Sequence, residues 1–249
     1  MYSKEKKHEI FRSKIDLNHT ITQFSTVDAI IAGLYDGHLS FNNILRYGNF
    51  GLGTIDKLDG EIIILDKQIY QVKADGKIHK PSIHKTTPYA TVVKFHPKIR
   101  LKLDQGTDFP HFQEVIDNLA PDQNIFYAIK VNGSFTNMKT RSLAGQKKPY
   151  PPMVKIHQCF FLLENINGTI VGFRAPDYFK DVTVPGYHLH FLSEDRQHGG
   201  HIIDFTLAEG AMEIDICYRF LLILPEHYAE FSHLDFSVDR SHEVEQVEK

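Results

Sequence analysis

Three apolar runs follow one another with almost nothing between them: Phe50-Gly51-Leu52-Gly53-Thr54-Ile55-Asp56, Glu61-Ile62-Ile63-Ile64-Leu65 and Gln68-Ile69-Tyr70-Gln71-Val72. Each is too short for a typical helix, and Leu58-Asp59-Gly60 and Asp66-Lys67 supply the turn residues between them. A chain written this way folds back on itself as a β-meander, because the exposed N–H and C=O groups of one short strand are satisfied by the next. The same texture returns at residues 89–95 and 124–131. Residues 160–163 and 169–173 flank Asn165-Ile166-Asn167-Gly168, which predicts a hairpin, and residues 212–224 read as one long strand or two. An aromatic content of 18 Phe and 11 Tyr with no Trp suits strands better than helices.

Helical periodicity is confined to a few places. Residues 26–35 predict a short helix capped by Thr26 or Ser25 and stopped at Asp36-Gly37. Between Asp108 and Ala120, Phe112, Val115, Ile116 and Leu119 fall at helical spacing, with Asp108 or Pro110 at the start and Pro121 at the end. Residues 175–179 predict one helical turn. Two strand-rich halves with a helix between them define an α+β fold of mixed and antiparallel sheets with few helices. The run Pro149-Tyr150-Pro151-Pro152 favours an extended linker. It divides the chain into a flexible segment 1–20, an N-terminal α+β subdomain 21–148, a C-terminal β-rich subdomain 149–235, to which the metal-ligand candidates below belong, and a tail 236–249.

Composition excludes several classes of function. The net charge is −3 without a basic block, so no nucleic acid or anionic membrane surface is expected as a partner. No run approaches the roughly 18 apolar residues of a membrane span. The charged start, Met1-Tyr2-Ser3-Lys4-Glu5-Lys6-Lys7, lacks the apolar run of a secretory signal, so a cytoplasmic location is expected. Cys159 and Cys217 each lie in an apolar run and read as reduced, buried thiols.

The chemistry concentrates in Val184-Pro185-Gly186-Tyr187-His188-Leu189-His190-Phe191 and, after a polar reversal, Gly199-Gly200-His201. Two residues apart on a strand, His188 and His190 face the same way. A turn centred between Asp195 and Arg196 places His201 directly opposite His190, with Cβ atoms about 4.5–5.5 Å apart. Three imidazoles at that spacing can share one metal ion, and three histidines with an open position form a known catalytic zinc arrangement. The competing reading of His-x-His is a polar, half-exposed strand pair. Asp195, Arg196 and Asp204 bracket the hairpin, and one of the carboxylates could orient an imidazole. Elsewhere, Glu61 reads alone as a solvent-facing carboxylate at a hairpin mouth. Arg141 reads either as a surface arginine or as a clamp for a substrate carboxylate. The tail from Asp239 to Lys249 reads alone as charged and disordered.

Taken together, Leu58-Asp59-Gly60-Glu61, the Arg141-Ser142 segment leading to Pro149-Tyr150-Pro151-Pro152, the histidine stretch, Asp195-Arg196 with Gly199-Gly200-His201, and Glu245-Gln246-Val247-Glu248 resemble the bacterial α-acetolactate decarboxylase family. The resemblance runs in order from about residue 20 to the end. It implies that His188, His190 and His201 bind Zn²⁺, that Glu61 and Arg141 line the site as catalytic residues, and that Thr54 is a further pocket residue. It also implies that the tail folds back to the active site and brings in a glutamate, assigned to Glu248 with Glu245 as the fallback. The implied reaction is decarboxylation of 2-acetolactate to acetoin and CO₂, in a homodimer.

These residue types suit that reaction on chemical grounds. Loss of CO₂ from a β-keto acid leaves an enediolate, whose charge a Lewis-acidic metal can spread. Arg141 can position the departing carboxylate, and Glu61 or Glu248 can deliver the proton that completes acetoin. A His-ligated metal hydrolase and a non-catalytic metal-binding or ligand-binding β module are the alternative readings.

Overall fold

The computed structural model describes residues 16–226 and 228–248, and in it the apolar runs pair as strands. The expected flexible segment 1–20 lies for its first fifteen residues outside the described part; from Thr20 the chain is already a strand. In chain order the strands are β1 (Thr20–Phe24), β2 (Leu39–Ser40), β3 (Phe50–Thr54), β4 (Glu61–Leu65), β5 (Gln68–Val72), β6 (Ile78–His79) and β7 (Thr86–Thr87). They continue with β8 (Ala90–Val93), β9 (Ile99–Leu103), β10 (Phe126–Leu143), β11 (Gln158–Ala175), β12 (Gly186–Ser193), β13 (Gly199–Cys217) and β14 (Arg219–Ile223). The helices are α1 (Val27–Ile31), α2 (Phe41–Ile44), α3 (Phe109–Leu119), α4 (Ala229–Ser232) and α5 (Ser241–Glu248).

The predicted meander is β3–β4–β5, the centre of a sheet ordered β14-β1-β8-β3-β4-β5-β6. Its one parallel pair, β1 with β14, makes it mixed. In the second sheet β10 pairs with both β11 and β13 while β12 bridges those two, so the ladder closes into a small barrel, with β9 added outside. The sheets do not divide at the proline segment: β9 and β10 precede it yet lie in the barrel sheet, and β14 follows it yet lies in the first.

Period-two alternation sorts the side chains. Phe50, Leu52, Ile63 and Leu65 of the first sheet meet Ala128, Val171 and Leu192 of the barrel in one apolar seam. Ile62 and Ile64 point the other way and pack with Phe41 and Ile44 of α2. Inside the barrel Val131, Phe135, Leu189, Phe191 and Phe205 pack with Phe112 and Ile116 of α3. Each such aliphatic or aromatic side chain larger than alanine, fully buried, contributes about 1.5–3 kcal/mol.

Helix α3 begins as the sequence predicts, with Asp108 accepting from the His111 N–H at 2.9 Å. Thr26 caps α1, accepting from the Ala29 N–H, but that helix ends at Ala32, short of Asp36-Gly37. The one helical turn forms at Asp177–Phe179. The hairpin predicted at Asn165-Ile166-Asn167-Gly168 does not form. β11 runs straight through, because the equally long β10 offers partners on both sides of it, Asn137 opposite Glu164 and Phe135 opposite Ile166. A positive φ at Asn165 marks the turn-forming residue without reversing the chain. Residues 212–224 form two strands that part at Tyr218, one in each sheet. Both cysteines are free thiols; Cys217 is buried and Cys159 only partly so. No helix among the described residues is long and apolar enough to cross a membrane.

Candidate metal centre and active site

His188 and His190 share the face of β12 that looks onto the first sheet, while Leu189 and Phe191 point into the barrel. His190 stands directly opposite His201, the register expected from the turn, and His201 stands opposite Arg141 of β10. His190, His201 and Arg141 therefore form a row across three strands. The imidazole centroids lie 5.1, 5.1 and 5.4 Å apart. One nitrogen from each ring lies within 4.8 Å of the others. Glycine permits this close approach: Gly200 has φ +135°, and a Cβ there would stand 2.6 Å from the Arg141 carbonyl oxygen.

The outer nitrogens fix the rings. His190 Nδ1 lies 2.9 Å from the Ile62 carbonyl and His201 Nε2 lies 3.2 Å from the Glu248 carbonyl. A carbonyl only accepts, so each of these nitrogens carries the proton, and the opposite nitrogen of a neutral ring presents a lone pair. Burial, with the Arg141 charge nearby, keeps the rings neutral: it lowers His188 to about 3 and holds His190 and His201 well below their usual value. Both inward nitrogens, His190 Nε2 and His201 Nδ1, are buried and have no hydrogen-bond partner among the described residues. Leaving such an acceptor unsatisfied costs about 1–3 kcal/mol, which a shared cation would relieve. The donor set and its orphaned lone pairs thus fit a metal ion.

Three residues from distant segments close the site. Glu61 opens β4 on the seam side, opposite Thr54 of β3, and follows Gly60 (φ +108°), where a Cβ would stand 2.2 Å from the Val72 carbonyl oxygen. Arg141 is 1% exposed, and its Nη1 donates to Glu61 Oε1 at 2.9 Å. Its Nη2 donates to Glu248 Oε2 at 3.4 Å. The surface readings of Glu61 and Arg141 are thus overturned, because both lie where the first sheet covers the barrel wall. Burial pushes the Glu61 carboxyl up to about 7 in spite of the Arg141 charge, and Glu248 is raised by burial as well. Glu61 Oε2 stands 3.6 Å from His190 Nε2, and Glu248 Oε2 stands 3.7 Å from His188 Nε2 and 3.5 Å from His201 Nδ1.

The tail is ordered as α5. Val244 and Val247, three residues apart on one helical stripe, are buried among Val27, Ile30, Leu58 and Met153. Composition alone suggests disorder because charged residues surround these two valines. Glu248 reaches the imidazoles, while Glu245 is exposed on the helix. Thr54 is buried, its Oγ1 donates to the Gly60 carbonyl at 2.8 Å, and it lines one pocket with Glu61, Arg141, His188 and Glu248.

Several pocket residues were not anticipated from the sequence: Tyr89, Met153, Leu143 and Val184 form much of its wall. Nothing distinguishes them in sequence from core residues; Tyr89 is placed by its hydroxyl contact with Thr183 at 3.1 Å. The carboxylates beside the histidine hairpin do not orient an imidazole. Asp195 accepts from Ser193 and Gln197 within the turn, and Asp204 accepts from the Phe205 N–H. Backbone carbonyls take that role instead.

A sheet packed on a barrel, with neutral imidazoles, a buried arginine and two carboxyls converging where they meet, defines an enzyme with a candidate metal centre. The sequence profile of the family described as Alpha-acetolactate decarboxylase matches residues 21–238, and the chain belongs to that family. Among relatives bearing that name, the protein of Methanosarcina mazei is 40% identical over 91% of this chain and 79% of its own length. That of Bacillus subtilis is 37% identical, covering 88% of each chain. A crystal structure of the Bacillus subtilis enzyme superposes with a TM-score of 0.89 at 35% identity, covering 92% of this chain and 99% of that one.

Proposed function

We propose that the protein decarboxylates 2-acetolactate to acetoin and CO₂, with Zn²⁺ held by His188, His190 and His201. The observation that carries this reading is the buried pocket in which Arg141 bridges Glu61 and Glu248 beside three inward imidazoles. Zinc in that pocket supplies a Lewis acid that spreads the charge developing as CO₂ leaves.

The chain's own residues perform the rest. Arg141, with one terminal nitrogen on each of two carboxylates, can exchange one of them for the substrate carboxylate and hold it before the C–C bond breaks. The electron pair of that bond stays on the substrate as an enediolate. One of the two glutamic acids, Glu61 or Glu248, then delivers a proton to the carbon that lost CO₂ and recovers one from water. Thr54 and the apolar wall shape the pocket and exclude bulk water from it. A homodimer belongs to the same proposal and rests on the family resemblance; the mass of the particle in solution checks it.

The test is turnover of acetolactate by purified, zinc-loaded protein. CO₂ and acetoin should form in equal amounts, stop on chelation and resume on zinc addition. Ester or amide hydrolysis without CO₂ would instead indicate a metal hydrolase. Stoichiometric zinc with no turnover would indicate a binding module.

A further inference from the structure

Glu248 stands at the end of an eight-residue helix, and the opposite end of that helix is tied down by a buried ion pair. Arg240, the residue before α5, places Nη1 2.9 Å from Oδ2 and 3.2 Å from Oδ1 of Asp28 on α1. The two side chains are only 12% and 7% exposed. Arg240 also donates to the carbonyls of Asp235 and Val238, and its own carbonyl accepts from Val244 at the first turn of α5. One residue thus joins three parts: its guanidinium ties the loop before the helix to α1, and its backbone carbonyl begins α5. Val27 and Ile30 of α1 in turn line the pocket that holds Glu61, Arg141 and His188.

The electrostatics make this contact directional. Asp28 is buried, and the carboxylates of Asp181 and Glu243 both act on it repulsively; Glu243 lies on α5 itself. Arg240 is the positive charge in direct contact with Asp28 that offsets this repulsion, although burial still holds the Asp28 carboxyl above its usual range. A helix of this length rises about 12 Å, so a tilt of about 5° at Arg240 displaces its Glu248 end by about 1 Å. A displacement of about 1 Å at a reacting group can cost about 10²-fold in rate.

We propose that Asp28 and Arg240 are positioning residues that set the Glu248 carboxyl at the imidazole cluster. The inference rests on the role given above to Glu248. A purely structural ion pair would lower stability without caring which residue α5 presents, so the test compares two backgrounds. In the zinc-loaded enzyme R240M should lower kcat on acetolactate about 10–100-fold with unchanged zinc content, and R240K should recover part of the loss. In an E248Q background, R240M should change kcat less than about twofold, because the group it positions is gone. D28N should act in the same direction as R240M but more weakly, since it also removes the repulsion from Glu243. Amide hydrogen exchange over residues 241–248 should quicken in R240M. Equal losses of kcat in both backgrounds, loss of zinc in R240M, or a wild-type kcat in R240M would each overturn the proposal. An E248Q enzyme at wild-type rate would break the role of Glu248 itself, and that outcome is read from the single variant alone.

Discussion

The histidine hairpin and the ring of charged residues around it are built on different principles. His188, His190 and His201 come from two consecutive strands, and their mutual geometry follows from pleat and register. Glu61 and Arg141 meet across 80 positions of sequence, and Arg141 and Glu248 across 107. The first group is set by local pairing, the second by how the first sheet and α5 dock onto the barrel. A metal centre of this kind should survive disturbances of the tail, whereas the charged ring should not.

The sharpest way to break that contrast is His190→Ala. It should abolish zinc binding and with it essentially all turnover, measured by elemental analysis and acetoin formation; retained stoichiometric zinc would sink the ligand assignment. Next in size is Glu61→Gln, which should leave zinc in place and lower kcat by about 10²–10⁴-fold if Glu61 is the proton donor. A loss near the lower end of that range, paired with a larger one in Glu248→Gln, would transfer the role to the tail. Truncation after residue 243 removes Val244, Val247 and Glu248 together. It should remove nearly all activity while zinc is retained more weakly, because His201 loses the Glu248 carbonyl, and the melting temperature should fall with the two buried valines; an undiminished rate would show that α5 has no part in the chemistry. The smallest effect is expected for Thr54→Val, which deletes the hydrogen bond to Gly60 that steadies the turn before Glu61. Denaturant unfolding should register a loss of about 1 kcal/mol.

Much of this contrast was already legible in the chain. Turn residues between short apolar runs identify the meander, and the spacing of His188, His190 and His201 about Asp195-Arg196 gives a register that β12 and β13 adopt. The hairpin expected at Asn165 failed for a long-range reason: turn chemistry is a local preference, and β10 offered β11 an uninterrupted ladder. The solvent-facing reading of Glu61 failed on the same ground, and local sequence could not separate the two readings of Arg141. A carboxylate at a hairpin mouth is exposed unless a second sheet covers it, and the covering strand lies far away in sequence.

By itself the sequence determined the strands, the imidazole face and, through motif resemblance, the family; these depend on periodicity and on neighbours a few residues apart. Only the tertiary structure decided that Arg141 lies buried between Glu61 and Glu248, and that Val244 and Val247 seat an otherwise charged tail. The physical reason is burial. Whether a charge sits in water or against another charge depends on what packs over it, and no local pattern in the chain carries that information.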